Sequence, residues 1–272
     1  MFKNITEKVL YKYRWATPID QVKELISTGK LWFSSAKSFN DPFDTAITYN
    51  YDGVNSPIAE RWAHNAVNRY MPELSLLERD QYVANRLHQI RTDPNDILAN
   101  RQEAIEHNYK SFGICSLAKK NDSLLMWGHY ANKHRGLCIG LNVDVIWKVT
   151  NELVHRKLVI DLAKVNYSKS IPKINFFEAM LDDKDNKHVM QFVGTKYADW
   201  SYENEYRLVC FESPNTLISF GPEIVSEIVF GCRMQEEERN SILDFSRSNY
   251  PSVRLYEAKP DENLFRLNVV AI

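Results

Sequence analysis

Trp200-Ser201-Tyr202-Glu203-Asn204-Glu205-Tyr206-Arg207-Leu208-Val209 places two carboxylates two residues apart at the head of an apolar, strand-like run. Alternate side chains of a strand share a face. A strand through this stretch therefore sets Glu203, Glu205 and Arg207 on one side and Tyr206, Leu208 and Cys210 on the other. Two acids and a base in a row are costly to bury without partners, whereas the wall of a polar cleft tolerates them. The same row also fits a solvated strand edge on which Glu205 and Arg207 interact.

Outward from this stretch the chain reads as many short strands with helices between them. On the C-terminal side, strands are expected at 224–230, 253–257 and 264–272, with a helix at 235–248. On the N-terminal side the chain opens as strand (8–14), helix and strand (31–35). Thr17 is placed to cap the helix, Pro18 to open it and Gly29 to stop it, and Ser38–Asp44 follows as a turn-rich loop. Between about 57 and 110, apolar residues recur at helical intervals, broken by Pro72 and Pro94, as in a helical insertion. Short strands follow at 112–117 and 137–141, with one or two more within 154–167. Ser123–Ala131 is a short helix or turn, and about 175–199 is a second helical block. Dispersed strands without a regular βα alternation argue for an α+β fold with a mixed, mainly antiparallel sheet. No linker divides the chain, so residues 1–272 are read as one domain.

Composition narrows the function. With 44% hydrophobic and 25% charged residues the chain has the make-up of a globular domain, and a net charge of −1 provides no general basic field for nucleic acid. No apolar run is long enough to span a bilayer and residues 1–7 lack a signal-peptide core, so a cytoplasmic protein without membrane contact is expected. Cys115, Cys138, Cys210 and Cys232 form no CxxC pair and mostly sit in apolar runs, which suits structural thiols. GxGxxG, P-loop, GxSxG and HExxH motifs are missing, and His129 and His134 stand five apart, off the one-face helical spacing. No metal site is expected.

What remains are polar and aromatic clusters: Tyr11-Lys12-Tyr13-Arg14, Ser34-Ser35 with Asn40-Asp41, Trp127 with His129 and Tyr130, and Glu203 with Glu205. The segments LYKYR (10–14), LWFSSAKSFNDPFD (31–44), LLMWGHYANKHRGLCIGL (124–141) and WSYENEYRLV (200–209) resemble the signature blocks of a large bacterial family of domains of unknown function. The resemblance covers most of the chain outside the helical insertion. Their order resembles that of the ADP-ribosyltransferase superfamily, including DarT-type toxins that modify nucleic acids. In that superfamily a first strand with a basic or His residue, a helix, and a second strand with Ser or Tyr precede a late strand opened by ExE.

The resemblance implies a split-sheet, ADP-ribosyltransferase-like core with NAD as co-substrate. It puts the catalytic glutamate at Glu205, with Glu203 orienting or deprotonating the acceptor. Lys12 or Arg14 would pair with NAD phosphate or ribose oxygens. Ser34 and Ser35 would supply the small hydroxyl, and Tyr13 or Tyr130 would stack on nicotinamide. Asn40, Asp41, Trp127 and His129 complete the implied NAD-binding set. Lys12 departs from the Arg or His of the well-known branches. The implied activity is that of an NAD-dependent transferase, a bacterial toxin or anti-phage defence effector acting on an RNA or DNA base or, second, on a protein. An antitoxin or chaperone would accompany it. The alternatives are an NAD glycohydrolase, a non-catalytic nucleotide- or partner-binding module using exposed Trp and Tyr, and a metal-dependent nuclease built on Asp41, Asp44 and His129.

Overall fold

The computed structural model describes residues 5–181 and 187–272. The opening unit is β1 (Val9–Arg14), α1 (Ile19–Thr28) and β2 (Lys30–Ser35). Gly29 stops α1 with φ 61°, donating its N–H to the Leu25 carbonyl at 2.8 Å. A Cβ here would strike the Gly221 carbonyl, so both the turn and the close approach require glycine. The other end differs from expectation: Pro18 takes the N-cap position, with no side-chain cap from Thr17.

After β3 (Thr48–Asn50) come α2 (Pro57–Tyr70), α3 (Leu76–Thr92) and α4 (Pro94–Ser111), which occupy the span read as an insertion. Local signals start two of them. Ser56 caps α2 ahead of Pro57, and Ser75 with Glu78 forms a reciprocal capping box on α3. Next are β4 (Phe112–Ala118), α5 (Leu124–Tyr130), β5 (Leu137–Asn142), α6 (Val143–Val154), β6 (Ile160–Lys164), β7 (Asn166–Ser168) and β8 (Lys173–Asn175). The expected second helical block resolves into α7 (Phe176–Leu181) and α8 (Lys187–Val193). Residues 182–186, in the middle of that block, lie outside the described residues. The block also ends sooner than expected, because the chain turns extended at β9 (Thr195–Tyr197) and then enters a 3-10 turn, Ala198–Glu203. The remainder is β10 (Glu205–Phe211), β11 (Thr216–Ser219), β12 (Val225–Phe230), α9 (Glu236–Asn249), β13 (Arg254–Pro260) and β14 (Leu267–Ala271).

The fold is α+β. Among the described residues ten strands join one sheet, antiparallel except where β12 meets β13. Side-chain alternation on β10 assigns the faces. Tyr206, Leu208 and Cys210 enter a core built with α1, α6 and α9, while Val209 enters an opposite core with α2, α3, α7 and α8. A third cluster under α5, around Trp127 and Tyr13, covers the far part of that second face.

β4 joins the two halves of the sheet. One of its edges pairs with β10 from Glu205↔Ala118 to Phe211↔Phe112. The other edge is shared: β2 pairs at Ile114 and Gly113, and β1 at Ala118 alone. β1 continues on β5, from Val9↔Asn142 to Arg14↔Leu137. Beyond Tyr11 it therefore parts from β4, and the sheet opens over Ser116 and Leu117.

Candidate active site

A cleft of ≈ 190 Å³ sits over that opening. Tyr11, Lys12 and Tyr13 of β1 form one wall, Ser116–Ala118 of β4 the floor, and Phe39, Asn40 and Asp44 of the loop after β2 the rim. Met126 and Tyr130 of α5, with Lys196, Glu203 and Glu205, complete the lining. Lys12 spans the gap between the strands, its Nζ donating to the Ser116 carbonyl at 2.8 Å, a group that a continuous β1–β4 ladder would otherwise satisfy.

The acidic wall is a buried network. Arg207, with no exposed surface, donates from Nε to Glu205 Oε1 at 2.8 Å and from Nη2 to Glu205 Oε2 at 3.1 Å. Its Nη2 also stands 2.8 Å from the Asp44 carboxylate, Nη1 donates to the Val193 carbonyl at 2.6 Å, and the guanidinium lies over the Phe39 ring. Lys196 Nζ is 2.5 Å from Glu203 Oε2, 3.1 Å from Glu205 Oε2 and 3.5 Å from Asp44. Tyr130 donates its hydroxyl to Glu203 Oε1 at 2.7 Å. The Tyr167 hydroxyl accepts the Glu205 backbone N–H at 2.8 Å and pins the start of β10.

Glu203 is not part of the strand. It closes the 3-10 turn, and Asn204, at φ 45° and ψ 52°, reverses the chain before β10 begins. Asn tolerates this left-handed conformation better than most residues. The turn returns the Glu203 carboxylate to the side of Glu205, so both acids reach Lys196 without strand alternation between them.

Environment separates the two acids. Burial acts to raise Glu205, but the charge and hydrogen bonds of Arg207, helped by Lys196, hold it down at about 2. For Glu203, burial outweighs Lys196 and Tyr130, and its pKa is raised. Burial opposes the charges of Lys196 and Arg207, yet the surrounding carboxylates push both above their usual values.

Of the residues singled out from sequence, Glu203, Glu205, Lys12, Tyr13, Asn40 and Tyr130 line the cleft. Tyr13 is largely buried, edge-on to Trp127 with ring centroids 5.4 Å apart, and donates to the Lys120 carbonyl. The others have different environments. Arg14 bonds the Trp15 carbonyl, and its pKa is lowered by burial. Ser35 caps the turn at Ala36–Ser38 and donates to the Tyr109 carbonyl, and Ser34 pairs with Ile114; neither lines the cleft. Asp41 accepts the Phe43 N–H in a local turn. Trp127 is core, its indole donating to the Asn121 carbonyl. His129 is exposed, with its ring near Tyr202. Among the described residues no three His, Cys, Asp or Glu are grouped as a metal site, and no helix is long and apolar enough to cross a membrane.

Sequence reasoning missed Lys196, and it considered Asp44 only as a metal ligand. No spacing rule connects Lys196 to Glu203 seven residues on, and Asp44 meets Arg207 across 163 residues. Nothing local marked Lys196: β9 is three residues long, and it turns its charged central residue inward while Tyr197 stays exposed.

Comparisons with curated proteins and with solved structures return no match. Residues 126–208, from α5 into β10, match a protein-family model described as Protein of unknown function (DUF2971), and this stretch contains Tyr130, Lys196, Glu203, Glu205 and Arg207.

Proposed function

We propose that the cleft cleaves the nicotinamide–ribose bond of NAD and transfers the ADP-ribosyl group to a nucleic-acid base. One observation carries this reading. Among the described residues Asp44, Glu203 and Glu205 form ion pairs with Lys196 and Arg207 alone, which leaves one negative charge in excess at the wall opposite β1, with Lys12 across the cleft as the facing cation. As the C1′–N bond breaks, nicotinamide departs with the bonding pair and the ribose becomes electron-poor, as in glycoside cleavage. A fixed negative field, held in place before the reaction, stabilises that charge without reorganising.

The two glutamates divide the work. Glu205 already accepts from Arg207 twice and from Lys196, so it acts through its permanent charge. Glu203 accepts from Tyr130 and Lys196 and keeps lone-pair capacity. With its raised pKa, Glu203 takes the proton of the acceptor as the new bond to C1′ forms. The cleft volume suits the nicotinamide–ribose end of NAD, with the adenosine end lying outside it; pockets enclosing a whole drug-sized ligand run to ~300–1,000 Å³. Lys12 and Asn40 are the polar groups available to the ribose and phosphate oxygens at the rim. The split of the sheet at β4 supports an ADP-ribosyltransferase-like core.

The small cleft also favours a second reading, in which water is the acceptor and the products are nicotinamide and free ADP-ribose. Incubation with labelled NAD and single-stranded RNA or DNA, beside a Glu205→Gln variant, tests both. Labelled nucleic acid supports transfer, and free ADP-ribose alone supports hydrolysis. Unconsumed NAD, or equal turnover by the variant, ends the proposal.

A further inference from the structure

A second cavity, of ≈ 290 Å³, has Lys196 in its lining, as the first does. β9, the Ser168–Pro172 connection, and Phe43 and Ala46 of the loop before β3 surround it. Two aromatic residues in its lining remain open to solvent, Phe43 at 63% and Tyr197 at 44%. Exposed aromatic rings around an apolar concavity mark a receiving surface. The chain around β7 is basic: residues 164–173 carry Lys164, Lys169 and Lys173, all exposed, and no acid, whereas Asp44 beside Phe43 is taken up by Arg207 and Lys196, and exposed Asp199 lies beyond Tyr197. Single-stranded nucleic acids are held in this way, with bases on aromatic faces and phosphates on lysines. A concavity of this size has room for one planar heterocycle and excludes a duplex, so an entering base must be unpaired.

We infer that this pocket receives an unpaired nucleobase of single-stranded RNA or DNA, seated against Phe43 and Tyr197 with the adjoining phosphates on Lys169 and Lys173. The pocket supplies the acceptor site of the reaction above and rests on that reading for the transfer step; strand binding stands on the pocket alone. Lys196 holds Glu203 and Glu205 through its ammonium group while contributing to the pocket's lining, so this one residue connects the pocket to the proposed proton acceptor.

The test is fluorescence anisotropy with labelled single strands of about 12 nucleotides and a duplex of the same sequence, at several salt concentrations without NAD. The proteins are the full chain, Phe43→Ala, Lys169→Glu/Lys173→Glu and Glu205→Gln, each checked for an unchanged melting temperature. The unmodified chain is expected to bind the single strand more tightly than the duplex. Phe43→Ala should weaken strand binding about tenfold, and the double lysine variant should reduce the salt slope by about 1.4. Failure to bind at about 50 mM salt, equal affinity for duplex, or full affinity in Phe43→Ala overturns the inference. Strand binding without NAD consumption retains it and ends the catalytic reading; NAD cleavage without strand binding does the reverse.

Discussion

Replacing Arg207 by Met keeps an unbranched stem over Phe39 and removes the guanidinium that ties Glu205 and Asp44 together. Two buried carboxylates then keep only Lys196 between them, and the Val193 carbonyl loses its donor. Breaking a buried ion pair by removing one partner costs about 3–5 kcal/mol. At roughly 2–4 °C per kcal/mol for a chain of this size, the melting temperature should fall by about 10 °C at pH 7. The pH dependence gives the sharper check. The Glu205 pKa lies below its unfolded value of 4.5, at about 2, so its stabilising contribution is present above 4.5 and is lost as pH falls through about 2. Without Arg207, burial is left to raise that pKa, and the variant takes up its proton at higher pH than the unmodified chain. The stability gap should therefore be widest at pH 7 and smaller at pH 4. Urea unfolding followed by tryptophan fluorescence at both pH values measures it. A gap below about 1 kcal/mol at pH 7, where a surface pair would fall, or a gap that does not change with pH, refutes the account of this network.

Tyr130→Phe removes a hydrogen bond that stabilises the Glu203 carboxylate, so the acid limb of kcat/KM for NAD cleavage should move to higher pH; an unmoved limb removes Glu203 from proton transfer. Lys12→Met should raise KM for NAD more than it lowers kcat, since Lys12 is on the wall opposite the carboxylates; initial-rate kinetics separates the two effects. Gly29→Ala meets both a left-handed backbone and the Gly221 carbonyl and should cost at least ~1–2 kcal/mol, read as a lower urea midpoint.

Much of the fold was readable because its signals are local. Gly29 as a helix stop, Ser56 ahead of Pro57 and the Ser75–Glu78 box act within a few residues, and the 206–210 alternation is a property of any strand. Where competing local preferences met, the reading slipped. Glu203 looked like a strand residue until Asn204 took a left-handed turn, and α6 was not anticipated among the strands between 137 and 167. The candidate site divides in the same way. Cleft residues such as Lys12 and Tyr130 stood out as members of polar and aromatic clusters. Ser35 and Trp127 looked equally suggestive, but they donate to the backbone carbonyls of Tyr109 and Asn121.

By itself the amino-acid sequence determined the α+β character, the spacing of Glu203 and Glu205, and the separation of Tyr206, Leu208 and Cys210 from Glu205 and Arg207 on opposite faces of β10, because periodicity and capping are short-range properties. Only the tertiary structure decided what those carboxylates face. Lys196 arrives from β9, Glu203 is turned back to it by the 3-10 turn that follows, and Asp44 comes from a loop 163 residues from Arg207; the cleft exists because β1 parts from β4 beyond Tyr11. Charge balance in a buried network depends on distances between remote segments, and no local pattern encodes those distances.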